Sequence, residues 1–398
     1  MNRRDFIKAS TSTAVGSTLI ASASAAPSNK DSKLAKKTQF RENKAPERRN
    51  DHPDMKYRQL GATGMMVSEL VLGGIPLRRD NHELIDLALD RGINYIDSAS
   101  GYGRDSESEK AIGQYFKNNE GSRGRIFLTT KISGFSGFRY RKYRDFFTGL
   151  PEDKKQRVNK RADEITRERG ISQPGVFFKY FPGHENELVR DYRILAIKEL
   201  YGADKVEGVG GFRKMMFDSL EGSLMRTGVD EFDVLFCPHG AASLEAIQEP
   251  EMLEVLREMK KQGKIRFAAV STHTCYDHIT RAAIDEKTYD LVMATYNIIN
   301  HNGMDAILSE AHSKGLGFVA MKAAAAVRTH FDDLKPLPAW REEKLQAMVP
   351  GEQSAVIKAY QFVLSNPHVS AVITNSWNTD MLTENLQCIG NTVEKGRV

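Results

Sequence analysis

The amino-acid sequence predicts an α/β fold, a closed (β/α)8 TIM barrel that begins with an N-terminal hairpin. Its 398 residues exceed the roughly 250 that such a barrel needs, which leaves room for extensions. Eight short apolar segments alternate with amphipathic helical patterns, as parallel βα units require. A doubly wound open sheet is the alternative, but the first strand is not followed by the Gly-x-Gly-x-x-Gly pattern of dinucleotide-binding sheets.

The barrel units follow one another in order along the chain. The segment Tyr57–Gly74 predicts a hairpin, with Gly61 and Gly64 in its turn, and then the first buried strand. Helical patterns between the later strands include HELIDLALDRG, EMLEVLREMKKQGK and QSAVIKAYQFVLSN. The predicted barrel strands are Leu70–Gly73, Tyr95–Ala99, Ile126–Lys131, Val234–Pro238, Phe267–Ser271, Leu291–Thr295, Phe318–Met321 and Ala371–Ile373.

The first 26 residues are predicted to be an export signal that takes no part in the fold. Arg3 and Arg4 precede Phe6, a weakly apolar stretch follows, and the small residues ASASAA offer cleavage sites. This order is typical of twin-arginine signals, whereas an ordinary amphipathic N-terminus is the alternative. We expect export by the twin-arginine machinery to the periplasm or another extracytoplasmic space. No apolar run reaches the roughly 18 residues of a membrane span, so we expect no transmembrane anchor in the mature form.

The positive charge of the chain is concentrated before the barrel. Residues 1–26 and 27–56 carry net charges of +2 and +4, out of +5 for the whole chain. Residues 27–55 have hardly any large apolar side chains, and we predict a flexible charged linker there. Residues 56–398, the predicted barrel, carry no overall basic excess, which argues against nucleic-acid binding.

A long insertion interrupts the barrel after its third strand. About 100 residues separate Lys131 from Val234, where an ordinary unit needs about 30. We place the insertion at 135–211, with helices near Glu152–Arg169 and Asn186–Tyr201. Because it leaves the barrel at the carboxyl ends of the strands, where active sites of this fold lie, we expect a lid or specificity cap. The alternative is that its aromatic side chains pack against the barrel or a second subunit.

Four ionisable residues come at or just after predicted strand ends. Asp97 ends the second strand, Tyr102 follows in the next loop, Lys131 ends the third strand and His239 follows the fourth. Parallel strands of a barrel end on one face, so we expect these four side chains to converge. Each one alone has an ordinary structural interpretation, as an ion pair, a loop anchor or a buried histidine.

Together the four residues suit the reduction of a carbonyl group. Hydride addition develops negative charge on the carbonyl oxygen, which needs a proton donor. We expect Lys131 to lower the pKa of the Tyr102 phenol and Asp97 to hold Lys131 charged and oriented. We expect His239 to hydrogen-bond the carbonyl oxygen.

Several segments of the chain resemble the aldo/keto reductases. They are Tyr57–Gly74, NYIDSASGYG, FLTTK, GKIRFAAVSTH, Tyr296–Asn297 and Glu384–Asn385, and the resemblance covers about 57–134 and 212–390. It implies that Asp97, Tyr102, Lys131 and His239 are the catalytic tetrad, with Tyr102 as proton donor. It also implies a nicotinamide cofactor, NADP or NAD. We expect an aldehyde, ketone or sugar-like substrate, and the sugar is suggested by aromatic side chains of the insertion that could stack on a ring.

The resemblance implies a cofactor site in which several residues differ from the family pattern. Thr272 stands where members commonly have Asn, Met293 where they have Gln, and Met321 where many have a stacking Tyr. Spacing from Glu384 places Asn375 and Met381 where NADP-preferring members often carry Lys and Arg, and neither side chain binds phosphate by charge. The predicted cofactor-binding residues are Ser271, Thr272, Met293, Met321, Lys322, Asn375, Ser376, Glu384 and Asn385.

Two other functions remain as alternatives. A catalytically weak barrel could bind the cofactor and act as a sensor or partner subunit, which the altered nicotinamide contacts favour and the intact tetrad opposes. A metal-dependent hydrolase would need His and carboxylate ligands on several strand ends, where the predicted ends offer one His and one Asp. The three cysteines, Cys237, Cys275 and Cys388, form no Cys-x-x-Cys pair, so we predict neither a disulfide framework nor a metal site.

Overall fold

The computed structural model describes residues 41–171, 177–202, 210–274 and 276–390. The predicted export signal at 1–26, the first part of the predicted linker at 27–40, and Cys275 lie outside the described residues. Among the helices that the structure describes, none is both long and apolar enough to cross a bilayer.

Eight parallel strands close into a barrel, and each strand pairs with the barrel strands before and after it in the chain. The last strand also pairs with the first, which closes the barrel. The predicted fold class is therefore confirmed, and all eight predicted strands lie within two residues of the observed bounds. The barrel strands are β4 Leu70–Gly73, β5 Tyr95–Asp97, β6 Phe127–Lys131, β7 Phe232–Phe236, β8 Ile265–Thr272, β9 Leu291–Thr295, β10 Gly317–Met321 and β11 Ala371–Thr374.

Twelve α-helices accompany these strands in the described part of the chain. Most lie outside the barrel and cover the outward faces of the strands, as the amphipathic patterns predict. They are α1 Glu83–Asp90, α2 Glu107–Asn118, α3 Phe135–Thr148, α4 Glu152–Glu168, α5 Glu185–Tyr201, α6 Phe212–Thr227, α7 Pro250–Lys261, α8 Tyr276–Asp285, α9 His301–Ser313, α10 Trp340–Met348, α11 Ala355–Leu364 and α12 Thr379–Asn385.

Alternate side chains of each strand point into the barrel, because successive residues of a strand face opposite sides. Val71, Tyr95, Phe127, Val234 and Phe267 belong to an interior cluster that is separate from the one between strands and helices. The same alternation sends the inward-facing positions at the carboxyl ends into the barrel mouth. Functional side chains at those positions therefore share one small space.

A short three-stranded sheet closes the opposite, amino-terminal end of the barrel. The predicted hairpin is confirmed as β2 Tyr57–Gln59 antiparallel to β3 Met65–Ser68. The turn brings Gly61 so close to β10 that a Cβ atom there would lie 2.3 Å from the backbone nitrogen of Gly317. Gly61 also has a φ of 55°, so a glycine suits this position on both counts.

The predicted flexible linker is wrong for residues 41–55, which pack against the barrel. Glu47–Arg48 forms β1, parallel to β3. The Arg41 guanidinium donates hydrogen bonds to the carbonyl oxygens of Tyr289 at 2.9 Å and Ala283 at 3.0 Å. Composition misled the prediction, because this segment is held by arginine side chains that reach backbone carbonyls and a buried carboxylate rather than by apolar burial.

That carboxylate belongs to Asp233, which is fully buried at the amino-terminal end of the barrel. Arg49 and Arg123 donate to it at 3.2 Å and 2.9 Å, and Arg266 donates at 2.6 Å. Arg49 also donates to the carbonyl oxygen of Ile126 at 2.6 Å and lies over the Phe127 ring. A buried carboxylate surrounded by three guanidinium groups fastens the N-terminal segment to the barrel floor.

Three helices, α3 to α5, lie between β6 and α6, in the segment where we predicted two. The two predicted helices correspond to α4 and α5, and α3 was missed because apolar residues lie on several sides of it. The buried Arg139 of α3 donates to Asp191 of α5 at 3.1 Å and to Glu249, next to α7, at 2.8 Å. These charged contacts fix α3 and α5 to the barrel.

We predict that Arg49→Ala lowers the free energy of unfolding by about 1–3 kcal/mol, because it leaves Asp233 and the Ile126 carbonyl short of a partner. The neighbouring Arg48 is 54% exposed in its side chain and pairs only with Asp51. Arg48→Ala should therefore change the unfolding free energy by less than about 0.5 kcal/mol. Urea denaturation of both variants checks this, and equal losses would contradict the packed N-terminal segment.

Candidate active site

The four predicted catalytic residues come together at the carboxyl end of the barrel. Strand register puts Asp97 of β5 opposite Thr129 of β6, and Lys131 of β6 opposite Phe236 of β7. Asp97 and Lys131 both point inward, since they lie an even number of residues from the interior Tyr95 and Phe127. The loops after β5 and β7 carry Tyr102 and His239 over them.

An ion pair between Lys131 and Asp97 forms the centre of the site. Lys131 Nζ contacts Asp97 Oδ1 and also donates to the carbonyl oxygen of Ser98 at 2.8 Å. The Thr129 hydroxyl donates to the same carboxylate at 3.1 Å. The Lys131 and Asp97 side chains are 1% and 3% exposed, so the two charges are compensated by each other and by hydrogen bonds rather than by water.

Tyr102 lies directly above this pair. Its hydroxyl donates to Asp97 Oδ2 at 3.3 Å, and Lys131 Nζ lies 4.6 Å from the centre of its ring. Burial and the Asp97 carboxylate raise the pKa of Tyr102 well above its ordinary value. The expectation that Lys131 lowers this pKa is wrong, because the ammonium group is directed at Asp97 and faces the phenol ring rather than its oxygen.

His239 completes the group from the other side. Its ring centre lies 6.0 Å from that of Tyr102, in an edge-to-face arrangement. Burial and the nearby Lys131 ammonium lower the pKa of His239 to about 3. The imidazole is therefore neutral near pH 7 and can act as a hydrogen-bond donor or acceptor.

Ser133 orients His239 and was not predicted from the sequence. Its hydroxyl oxygen accepts the Gly101 N–H at 3.1 Å and lies 3.0 Å from His239 Nδ1. A hydroxyl can accept and donate at the same time, so Ser133 can also donate its proton to His239 Nδ1, and the imidazole then carries its proton on Nε2. No sequence signal marks Ser133, since a serine after a strand resembles any loop residue.

Three predicted cofactor-binding residues face into the barrel beside the tetrad. Ser271 and Met321 lie at the carboxyl ends of β8 and β10, Met293 lies in the middle of β9, and register pairs Ser271 with Met293. All three are buried, and Met293 and Met321 belong to the interior cluster. The Ser271 oxygen accepts the Gly240 N–H at 3.3 Å, and its proton remains available. The structure thus brings these residues together next to the tetrad.

Thr272 does not join that surface. It follows Ser271 in β8 and so faces the other side of the strand. Its hydroxyl donates to the carbonyl oxygen of Ala241 at 2.7 Å and contacts that of Thr274. Its hydroxyl is used within the loops after β7 and β8, so this orientation does not favour the cofactor contact predicted for the side chain.

Lys322 lies at the barrel mouth but turns toward the segment before α5. Its backbone has a φ of 61°, and Nζ lies 5.8 Å from the centre of the Phe181 ring. Its carbonyl oxygen accepts a hydrogen bond from Asn297 at 3.0 Å. Burial lowers the pKa of Lys322. The charge of Glu187 acts in the opposite direction and offsets part of this decrease.

The remaining predicted cofactor residues lie around β11 and α12. Asn375 is exposed and lies close to Gly73. A Cβ atom added to Gly73 would be 2.2 Å from Asn375 Oδ1. Asn385 is buried and donates to Ser376 at 3.0 Å. Glu384 accepts a hydrogen bond from Ser354 at 3.1 Å. Three of these side chains thus bond within the protein, and both Asn375 and Glu384 are exposed.

A family model for the aldo/keto reductase family matches residues 70–395. The chain belongs to the aldo/keto reductase family. The holo form of an aldo-keto reductase from Bacillus halodurans is similar in fold, with a TM-score of 0.56 and 19% identity, over 85% of this chain and 92% of that one. A putative aldo-keto reductase from Pseudomonas aeruginosa is also similar in fold. Its TM-score is 0.51 and its identity 20%, over 83% of this chain and 94% of that one.

Curated relatives of this family member are distant in sequence. An aldo-keto reductase of Alternaria alternata is 22% identical over 68% of this chain, and the match spans 65% of that relative's length. A putative aryl-alcohol dehydrogenase of Schizosaccharomyces pombe is 25% identical over 58% of this chain and 55% of its own length. The chain therefore spans somewhat less than two thirds of these relatives.

The residues beside the tetrad fit a nicotinamide ring. Met293 and Met321 provide an apolar surface, and the Ser271 hydroxyl has a free proton for the carboxamide group. This family member also carries no Lys or Arg between residues 373 and 390, while Asp380 and Glu384 are acidic. That segment offers no cation to a 2′-phosphate.

We predict that the buried neutral His239 makes the protein less stable in acid. Its pKa of about 3 in the folded state lies below the ordinary 6.5, so the unfolded chain binds the proton first as pH falls. The contribution of the neutral His239 to the free energy of unfolding is fully present above about pH 6.5. It is lost toward pH 3, by at most about 1.4 kcal/mol per pH unit. We therefore compare the free energies of unfolding of the wild type and of His239→Asn. The difference between them should decrease, at a slope that approaches this value, as the pH is lowered from 6.5 to 5. A constant difference would contradict the assignment.

Proposed function

We propose that this protein is an NAD(P)-dependent oxidoreductase that interconverts a carbonyl compound and the corresponding alcohol. The observation that carries the proposal is the meeting of Tyr102, Lys131, Asp97 and His239 at one mouth of the barrel. In the reductive direction the substrate carbon gains a hydride and its oxygen gains a proton. The nicotinamide, when bound, supplies the hydride.

Tyr102 is the proposed proton donor. Its raised pKa means that the phenol carries its proton at neutral pH, as reduction requires. As the proton leaves for the alkoxide, the phenolate that forms lies next to the Lys131 ammonium. The neutral His239 donates a hydrogen bond from Nε2 to the substrate oxygen and orients it. In the oxidative direction the same groups take up the proton.

Ser271, Met293 and Met321 would hold the nicotinamide ring, and Asn375 is accessible near the last strand. Because no basic residue lies between 373 and 390, we propose that NADH is preferred over NADPH. The substrate is an aldehyde, a ketone or a sugar-like molecule, since the proposed chemistry requires only a carbonyl or carbinol carbon.

A cofactor-binding sensor or partner subunit is the second candidate function. Two observations favour it: Thr272 turns away from the proposed nicotinamide surface, and a thioether at Met293 replaces an amide that would bind the carboxamide. The buried ion pair of Lys131 and Asp97 within the tetrad favours the enzyme, because such a costly arrangement has no evident use in a protein that only binds.

Tyr102→Phe separates the two candidates. We predict a loss of turnover of about 10²–10⁴-fold with cofactor affinity nearly unchanged, since the variant lacks only the proton donor. In the wild type, kcat/KM should be higher with NADH than with NADPH. Tyr143→Phe is the matched control, because the Tyr143 hydroxyl has no hydrogen-bond partner in the described structure. Wild-type binding of cofactor without turnover of any carbonyl compound would favour the sensor.

We further propose that the protein is exported, on the sequence pattern of residues 1–26. The twin-arginine route carries folded proteins, so the cofactor could be loaded before transport and retained. Arg3→Lys with Arg4→Lys should keep the precursor in the cytoplasm, as fractionation and mass measurement would show. Periplasmic recovery of the double variant in unchanged amount would contradict this proposal.

A further inference from the structure

A second group of ionisable side chains covers the barrel mouth, and the tetrad does not include it. His184 and Glu187 come from the start of α5, His273 follows β8, and Lys322 follows β10. We call these four residues the cap cluster. Phe181, just before α5, lies among them, with ring centres 4.3 Å from His184 and 5.6 Å from His273.

The cap cluster lies next to the tetrad. A Cβ atom placed on Gly240, the residue after His239, would be 3.7 Å from Glu187 Oε1. His273 lies two residues after Ser271 of the proposed nicotinamide surface. Burial lowers the pKa of His273, and the charges of Lys322 and Lys131 lower it further, so this imidazole is within electrostatic range of both groups.

Within the part of the chain that the structure describes, three polar atoms of the cap cluster are buried without a hydrogen-bond partner. They are His184 Nε2, Glu187 Oε2 and His273 Nδ1. The His184 side chain is fully buried, its Nδ1 accepts the Tyr180 N–H at 3.3 Å, and its Nε2 lies 3.9 Å from Glu187 Oε2. Leaving such atoms unsatisfied costs about 1–3 kcal/mol each, so their convergence points to a polar ligand.

The cluster is held in place by the buried contacts of α5. Glu187 and Asp191 are one turn apart and so lie on the same face of that helix. Asp191 accepts hydrogen bonds from Arg139 at 3.1 Å and from Ser243 at 2.8 Å. Glu187 is therefore carried by a helix that is anchored within a few ångströms of it, which suits a preformed binding site.

The charges of the cluster favour a neutral ligand. Lys322 is its cation and would repel a cationic ligand, while Glu187, whose pKa burial raises to about 7, is partly ionised near neutral pH and would repel an anionic ligand in part. Burial lowers the pKa of His184 to about 4, which leaves its imidazole neutral. Among the described residues, no group of three His, Cys, Asp or Glu side chains is arranged to bind a metal ion.

Hydroxyl groups match this set, because each one both donates and accepts hydrogen bonds. Lys322 donates, Glu187 accepts, and each imidazole can do either, while the Phe181 ring, 5.8 Å from Lys322 Nζ, adds an apolar side chain to the group. We propose that the cap cluster binds a neutral polyhydroxylated ring, a sugar or cyclic polyol, whose reacting carbon faces Tyr102 and His239. This inference rests on the proposed oxidoreductase function and names its substrate class.

The test compares cyclic alcohols that carry many hydroxyl groups, one hydroxyl group or a carboxylate. Oxidation of glucose, galactose, mannose, xylose, glucuronate and cyclohexanol is followed with NAD and with NADP in the full mature chain. Glu187→Gln should lower kcat/KM for the best neutral sugar about tenfold or more, mainly through KM, and that for cyclohexanol less than about threefold. His273→Gln should act in the same direction.

Glu185→Gln is the matched control, since Glu185 lies two residues away on the same helix with its side chain 51% exposed. It should change neither value, and thermal unfolding checks that all variants fold. Equal losses for sugar and cyclohexanol in Glu187→Gln, or neutral sugars that are no better than cyclohexanol, would overturn the inference. A preference for glucuronate that Glu187→Gln strengthens would show an anion site instead.

Failure of the proposed function gives a different result. If no alcohol is oxidised with either cofactor, the oxidoreductase proposal fails, and the cluster is judged by calorimetric binding of the same sugars. Binding that Glu187→Gln weakens and Glu185→Gln does not would support the polyol site. Absence of sugar binding to the wild type would overturn it.

Discussion

The buried ion pair between Lys131 and Asp97 is the interaction on which the site depends. Removing two charges from water costs several kcal/mol per ion, and the cost is offset only where geometry and hydrogen bonding are good. Here the Ser98 carbonyl and the Thr129 hydroxyl complete the coordination of the pair. Strand register supplies these groups, so the barrel itself fixes where both charges lie.

The pair also sets the protonation of its neighbours. The Asp97 carboxylate favours the neutral phenol of Tyr102, and the Lys131 ammonium favours the neutral imidazole of His239. Tyr102 and His239 are therefore both uncharged at neutral pH, and the Lys131 ammonium, 4.6 Å from the centre of the phenol ring, is the member of the pair that favours a phenolate as it forms. This arrangement differs from a simple lysine-activated tyrosine, in which the lysine would act on the resting phenol.

Local sequence patterns were enough for the barrel and the tetrad, because apolar strands and strand-end residues repeat with a fixed order. They were not enough where partners lie far apart in sequence. Arg49 reaches Asp233 across 184 residues, and Ser133 reaches His239 across 106. The cap cluster likewise joins α5 to two strand ends. Composition predicted a linker at residues 41–55, because the segment has few apolar residues. Composition cannot show which charged side chains form hydrogen bonds or ion pairs with the barrel.

The most direct test of the ion pair is a double-mutant cycle in kcat/KM with Asp97→Asn, Lys131→Met and both changes together. If the pair acts as one unit, either single change disables it and the second adds little. The coupling energy should then be at least about 2 kcal/mol. Losses that simply add, with a coupling below about 0.5 kcal/mol, would show that the two residues act independently and would contradict this account.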